Sequence, residues 1–351
     1  MKKFHRKVLA SGVFAAGLLV LPGAALHYSH LEVWRGVMVD TGAAETRLDG
    51  MSFDREPLWG SSKPGSSREA YESAAVELQH LRDSSAQELD LRLSQPWDSQ
   101  EIRALVGSPA AQASLALMRD GAHRRDVRPM GFPAFPHQGI TRPFPPRELV
   151  FLAHHQARVL SADGHHLEAA RWMLDSAQMG LDCAYSPLFL DRAMGFALLQ
   201  FAFQQPGEQG VSVEFLGVEG LALLQDALET LQDGLRASRT TGDAEFASFT
   251  RKVDAALPGL WPNPLGSYLT YARASKLSAP LHQMYSELEG AFSISDQAGD
   301  QAVANWQTDA HPEEVVRIAS TFQSLAKSKA LTLAHLARVE ATVAEALESQ
   351  R

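Results

Sequence analysis

The sequence predicts an all-α protein, an irregular multi-helix domain of antiparallel helical hairpins behind one N-terminal membrane or signal segment. Apolar residues recur three and four positions apart through most of the chain after residue 67, which is the spacing of one buried helix face. Glycine, proline and serine clusters separate these runs, as expected where helices end. The uncharged stretch near the N-terminus is the third observation.

Residues 1–26 begin with a short basic stretch, and residues 8–26 then contain no charge. About 19 apolar residues are enough to span the roughly 30 Å hydrocarbon core of a bilayer. We favour an uncleaved signal anchor, which would hold the protein in the inner membrane with its C-terminal domain outside the cytoplasm. The alternative is a signal peptide cleaved near Ala25, which would leave a secreted or periplasmic domain.

Residues 27–67 are rich in glycine and serine and show no sustained period, so they are predicted to form a flexible linker. Residues 68–351 are predicted to form a single all-helical extracytoplasmic domain. Its first helices are expected at 68–93, after a capping signal at Asp98, and at 109–119.

Three consecutive helices are predicted at 147–160, 165–182 and 187–204. The third should be the buried central helix, because Gln200 is its only polar residue between positions 193 and 203. The second has a polar stripe opposite its apolar face, which is typical of a solvated helix surface with local ion pairs. This stripe contains Glu168, Arg171, Asp175, Gln178 and Asp182.

The C-terminal part is predicted to continue with helices at 218–236, after a cap at 240–243, and around 265–277 and 279–292, followed by a loose segment at 293–308. The last helix should run from Pro312 to the terminus. Nearly 40 residues at 1.5 Å each give close to 60 Å, so this helix packs back along the domain, kinks near Lys329, or projects to bind a partner. Packing back is favoured. The partner hypothesis rests on Leu336, Val339 and Val343.

Residues 126–146 are irregular and contain six prolines interleaved with Phe132, Phe135 and Phe144. Long segments of this kind inside a domain are often functional. The favoured interpretation is a stiff crossover that its phenylalanines pin to the body. The alternative is a loop that binds a protein partner.

Composition excludes some classes of function. The net charge of −9 and the pI of about 5.8 argue against nucleic-acid binding, which needs a basic surface. Cys183 is the only cysteine, so neither an intrachain disulfide nor a cysteine-rich metal site can form. No cofactor is indicated.

Two histidine pairs, 154–155 and 165–166, flank a predicted helical turn. A hairpin there would bring His155 and His165 together, with Glu168 as a third metal ligand. These are weak metal candidates, because adjacent histidines on a helix point in different directions and a histidine at a turn is ordinarily exposed.

No motif in the sequence pairs a nucleophile with a base, and no phosphate-binding or dinucleotide-binding pattern is present. The sequence therefore favours a non-catalytic, membrane-tethered envelope protein that acts as a scaffold or adaptor for another protein. The alternative is an exported protein that binds a metal or a small ligand through the hairpin at 154–166. Binding of a small apolar ligand between helices is a third hypothesis.

Overall fold

The structure is a computed structural model that describes residues 53–83, 89, 93–128, 146–186, 189–204, 210–238, 294–308 and 313–350, with isolated positions between 280 and 291. The predicted anchor at 8–26, the predicted helices at 240–277 and the candidate residues Phe132, Phe135 and Phe144 lie outside them. Within the described residues, no helix combines the length and apolar character needed to cross a bilayer.

The described chain is predominantly helical, as the sequence predicts. A short 3-10 turn, Glu214–Leu216, precedes the seventh helix. In chain order the helices are α1 Ser67–Asp83, α2 Gln100–Val106, α3 Pro109–Ala122, α4 Pro146–Ala162, α5 His166–Tyr185, α6 Phe189–Phe201, α7 Gly217–Ala237, α8 Asp296–Thr308 and α9 Glu313–Ser349.

Three short strands, which the sequence analysis does not predict, form a small sheet beside the helices. They are β1 Phe53–Asp54, β2 Lys63–Ser66 and β3 Arg124–Val127, in the order β1-β3-β2. β1 is antiparallel to β3 and β2 is parallel to it. Strands of two to four residues are too short to show an alternating pattern. The prediction placed residues 53–66 in a flexible linker, and the structure pairs them with the helical domain instead.

α5 is the central helix. It packs against α3, α4, α6 and α7, and from Ala169 to Ala184 every residue except Arg171 is buried. The sequence analysis assigned this position to the helix at 187–204, because that helix is the more apolar of the two. α6 is well buried between α5 and α9. α5 is nevertheless the more enclosed helix, because its polar side chains have partners that allow them to be buried.

α9 is a continuous helix of 37 residues that packs along α6, α7 and α8. Leu336, Val339 and Val343 are fully buried in the core. Their proposed role as partner contacts is therefore corrected: these three side chains pack within their own domain.

The interruption of the apolar pattern in α9 has a structural explanation. Lys329 Nζ donates hydrogen bonds to the carbonyls of Arg236 (2.8 Å) and Ser238 (3.1 Å), where α7 ends. A cation at that position satisfies terminal carbonyls and complements the helix dipole. Thr332 Oγ1 accepts a 2.9 Å hydrogen bond from Gln200 on α6. These polar contacts join the long helix to its neighbours.

α8 corrects the prediction of a loose segment at 293–308. Only a few apolar residues of this helix are buried, notably Val303 and Trp306, so its sequence shows no strong periodic stripe. Trp306 Nε1 donates a 2.8 Å hydrogen bond to Glu287. Contacts to the start of α9 complete the packing of the helix.

The α5–α6 crossing depends on glycine at Gly195. A Cβ atom there would lie 2.4 Å from the backbone nitrogen of Ala184 and 2.6 Å from the carbonyl oxygen of Gly180. Those atoms belong to the backbone, so no side-chain rotation can make room for a methyl group. The two helices can approach this closely only where Cβ is absent.

We predict that Gly195→Ala lowers the free energy of unfolding by about 1–3 kcal/mol, because the added methyl group forces α5 and α6 apart. Urea unfolding followed by circular dichroism measures the change. Gly290→Ala is the matched control, because nothing lies within 4 Å of a Cβ at that helical position. It should be neutral or stabilising by up to about 1 kcal/mol. Equal effects of the two substitutions would contradict the close crossing.

Candidate functional site

The most distinctive polar site lies on α5, beneath the segment that precedes α1. We call residues 53–62 the strap, and the surface formed by Asp175, Gln178 and Asp182 the acidic face. These three residues are three and four positions apart, so they lie on one side of the helix. Each is no more than 2% exposed. The prediction of a solvated helix surface is therefore wrong for these three residues, because the strap covers them. Glu168 and Arg171, at the other end of the predicted stripe, are partly exposed and form a local ion pair, as predicted.

Asp182 is the most heavily hydrogen-bonded residue of the acidic face. Arg55 of the strap donates from Nε to Oδ1 at 2.8 Å and from Nη2 to Oδ2. The Tyr71 hydroxyl of α1 donates to Oδ2 at 2.7 Å, and Gln178 Nε2 donates to Oδ1 at 2.8 Å. Four hydrogen bonds, two of them from a guanidinium, satisfy a carboxylate that has no access to water.

The electrostatic environment fixes the charges at this position. Burial lowers the pKa of Arg55, but Asp182, Tyr71 and Tyr185 together raise it by more, so the net shift is upward. Burial, reinforced by Asp182, raises the pKa of Tyr71 well above its usual value. Tyr71 therefore remains a neutral donor and Arg55 remains charged throughout the physiological pH range.

Asp175 holds the other anchor of the strap. Trp59 Nε1 donates to its Oδ1 at 2.8 Å, and Arg119 Nε of α3 donates to its Oδ2 at 2.6 Å. His123 Nε2 lies 3.3 Å from Oδ1. Between the two anchors, the backbone N–H of Leu58 donates to Gln178 Oε1 at 3.0 Å.

The Trp59 ring lies in a cationic and aromatic cradle. The guanidinium carbons of Arg119 and Arg171 lie 5.4 Å and 4.9 Å from the ring centroid. The His123 ring meets the indole edge to face, with 4.4 Å between the two ring centroids. Arg119 also stacks on Trp172 at 3.6 Å. Cation–π contacts and a hydrogen-bonded indole nitrogen together fix the ring in one orientation.

The three weak metal candidates have other contacts. His155 is buried and its Nε2 lies 2.9 Å from the carbonyl oxygen of Leu93, while burial lowers its pKa. Glu168 forms ion pairs with Arg119 and Arg171. His165 is exposed at the start of α5. Across the described parts of the chain, no group of three or more His, Cys, Asp or Glu side chains is placed to hold a metal ion.

A serine–histidine pair lies at the end of the α4–α5 hairpin. Ser161 Oγ is 2.8 Å from His166 Nδ1 and also donates to the carbonyl of Phe215. Because the hydroxyl proton is directed at that carbonyl, Oγ accepts from Nδ1–H rather than giving up a proton to the ring. The pair therefore links the hairpin to the 3-10 turn before α7, and this geometry is unlike that of an activated nucleophile.

His154 is enclosed in the core, where its ring meets Phe215 edge to face with 5.8 Å between centroids. Burial, together with the charge of Arg158 and the neighbouring His155, lowers the pKa of His154 to about 3. Its imidazole is therefore neutral in the folded protein at neutral pH.

Comparison with known proteins finds no match, either among family models, among curated proteins or among solved structures. The site is therefore interpreted from its own geometry. Its most specific feature is a pair of buried carboxylates, one bound to an arginine and the other to a tryptophan four residues later in an extended segment.

The sequence contained a usable signal for this site. Arg55 and Trp59 stand in a stretch that is otherwise typical of a linker, and linkers rarely place a tryptophan where it has nothing to pack against. The polar stripe of Asp175, Gln178 and Asp182 on the central hairpin supplies the hydrogen-bond acceptors for this stretch. Neither signal alone predicts the contact, because the two lie more than 100 residues apart.

We predict that Asp182→Asn and Arg55→Gln each lower the free energy of unfolding by about 3–5 kcal/mol, because each leaves a buried charge without its partner. The double variant should be less destabilised than the sum of the two single variants. Urea unfolding monitored by tryptophan fluorescence measures all four proteins.

Arg125→Gln is the matched control for that cycle. Arg125 pairs with Asp54 of the strap, but both side chains are more than half exposed. Exposed ion pairs add little to stability, so we expect no resolvable change. Additive effects of Arg55→Gln and Asp182→Asn would show that the two groups are not energetically coupled.

We predict that stability falls as the pH drops from about 6.5 toward 3, partly because of His154. The folded protein keeps this ring neutral, whereas the unfolded chain binds a proton below the ordinary pKa of 6.5. The contribution is up to about 1.4 kcal/mol per pH unit. His154→Phe should reduce this slope and His165→Gln, at an exposed site, should not. An unchanged slope in His154→Phe would contradict a neutral buried ring.

Proposed function

We propose that the chain is a non-catalytic scaffold or adaptor, tethered to the inner membrane through residues 8–26 and acting outside the cytoplasm on another protein. The basic start and uncharged run at the N-terminus support the tether. The acidic composition of the remaining chain agrees with a soluble body that does not adhere to anionic lipid. Cleavage near Ala25 would give the same domain in secreted or periplasmic form.

The proposal rests chiefly on the strap. Chain arriving from the N-terminal side meets the helical body through Phe53, Arg55 and Trp59, which bind β3 and the acidic face before α1 begins. If the N-terminal chain joined the helical body only at a free helix end, it would not hold the body in a fixed orientation. Here the ion-pair and indole contacts of the strap fix that orientation, which suits a protein that presents one surface to a partner.

The buried carboxylates and the serine–histidine pair are used in structural contacts. Asp175 and Asp182 bind strap and helix donors, and Ser161 bridges His166 and Phe215. Each of these groups joins two or more elements of the fold. That use agrees with a protein whose purpose is to hold a shape.

Two surfaces are the candidates for the partner. One is the proline-rich stretch with Phe132, Phe135 and Phe144, as the sequence indicates. The other is the solvent side of α9, opposite the buried Leu336 and Val343, where Leu331 is 65% exposed. An apolar side chain of this size on a long helix is available for a contact with another protein.

A small-ligand function is the second candidate, favoured by a cleft of about 670 Å³ beside α9. Its lining includes His335, Arg338, Thr342 and Glu345. The volume is in the range of small-molecule sites. This cleft is separate from the hairpin at 154–166 that the sequence suggested for ligand binding.

We predict that a photo-reactive amino acid at Leu331 or Phe135 of the full chain forms a cross-link to one protein of defined mass in intact cells. The same group at Val76, which is 56% exposed on α1, is the control and should give none. Mass spectrometry of the purified adduct also shows whether residues 1–26 are retained. Absence of adducts at both test positions, with a stoichiometric metal or small molecule bound to the protein, would overturn the adaptor proposal.

A further inference from the structure

The acidic face has a charge requirement that the helices alone do not meet. Asp175 does not need the strap for an ion pair, because Arg119 of α3 and His123 at the C-terminal cap of α3 both contact it. Among the described residues, the cation paired with Asp182 is Arg55 of the strap. Without the strap, Asp182 would keep two neutral donors, Tyr71 and Gln178, and would lack a counter-charge. The site therefore selects an occupant that carries a guanidinium.

The second specificity element is the Trp59 cradle. It offers a carboxylate oxygen to an indole N–H, two guanidinium groups near the ring and an imidazole in edge-to-face contact with it. Phenylalanine would fill the space but would leave the Asp175 oxygen without that donor. Tryptophan and arginine are the residues that most often dominate the energy of protein interfaces.

The strap is held as a peptide ligand would be held. Its backbone pairs with β3 only at Phe53 and Asp54, with one further hydrogen bond from Arg55 N to Arg125 O at 3.2 Å. Its side chains supply the remaining specificity. In addition, the backbone N–H of Leu58 donates a hydrogen bond to Gln178. Short strand addition combined with side-chain anchors is a recurring mode of peptide recognition.

We propose that the acidic face is a recognition site for an extended protein segment with arginine and tryptophan four residues apart, and that the strap is its resident occupant. A segment of the same chemistry on another protein displaces the strap and takes its place. The strap is then an autoinhibitory contact that keeps the site closed to weaker segments. While the strap is bound it fixes the domain relative to the preceding chain, as the proposed function requires, and its displacement both releases that attachment and opens the site.

The chain between the strap anchors and β2 allows such an exchange. Gly60 has a φ of +72° and is exposed, as is Ser61, so the anchors can leave the acidic face while β2, Lys63–Ser66, stays paired with β3. Tethering gives the strap an effective concentration on the order of millimolar. A competing segment must therefore bind well, or the strap must be weakened, before the site opens.

The test measures binding of a fluorescent peptide with the sequence of residues 53–62 to the full-length chain. The Arg55→Gln chain should bind it at least tenfold more tightly than the wild-type chain, because its own strap no longer neutralises Asp182. Arg236→Gln, which removes an exposed ion pair with Asp233 on α7 outside the site, is the matched control and should bind the peptide no better than wild type. Peptides carrying Arg55→Gln or Trp59→Ala should lose the binding, and so should a chain with both Arg55→Gln and Asp182→Asn.

Equal affinity of the Arg55→Gln chain for the wild-type peptide and for the Trp59→Ala peptide would overturn the proposal. Circular dichroism establishes that the variant chains are folded. If Arg55→Gln does not fold, a protease site inserted between Ser61 and Ser62 of the full chain replaces it. After cleavage, the free strap should exchange with the labelled peptide, and failure to exchange while the body remains folded would also overturn the proposal.

Discussion

The buried carboxylate of Asp182 is the constraint on which this structure depends. Moving a charged carboxylate out of water costs several kcal/mol unless every lone pair finds a donor. The donors come from three elements of the fold: Arg55 in the strap, Tyr71 in α1 and Gln178 in α5 itself. Satisfying this one group therefore fixes the strap and the first helix against the central helix.

The opposite side of α5 is organised by close packing. At Gly195 the backbone of α6 approaches that of α5, at Gly180 and Ala184, to a distance that excludes a methyl group. α5 is thus enclosed by a covering polar segment on one side and by a neighbouring helix on the other. This arrangement explains why a helix with two acids and a glutamine is the most buried in the described structure, while the more apolar α6 lies beside it.

Periodicity and chain breaks were sufficient to predict the class of fold and several helices, including α4, α5, α7 and the long α9. They report which side of a helix is apolar, but not what covers the polar side, so the stripe from Asp175 to Asp182 was assigned to solvent. A clean apolar stripe predicts burial, but it does not show whether the chain's own core or a partner protein buries it. The stripe of Leu336, Val339 and Val343 is an example. α8 was missed because Val303 and Trp306 carry most of its packing.

An apolar strap would cover α5 at lower desolvation cost, since replacing buried ion pairs by well-packed apolar groups is often stabilising. Its contacts would tolerate many registers, whereas Arg55 on Asp182 and Trp59 on Asp175 together allow only one. Two directional anchors four residues apart therefore favour specificity over stability. A permanently bound strap would not need this specificity, because its covalent connection to α1 already holds it close to α5. Specificity is needed where the site must distinguish one extended segment from another. We therefore infer a recognition site rather than a purely structural contact.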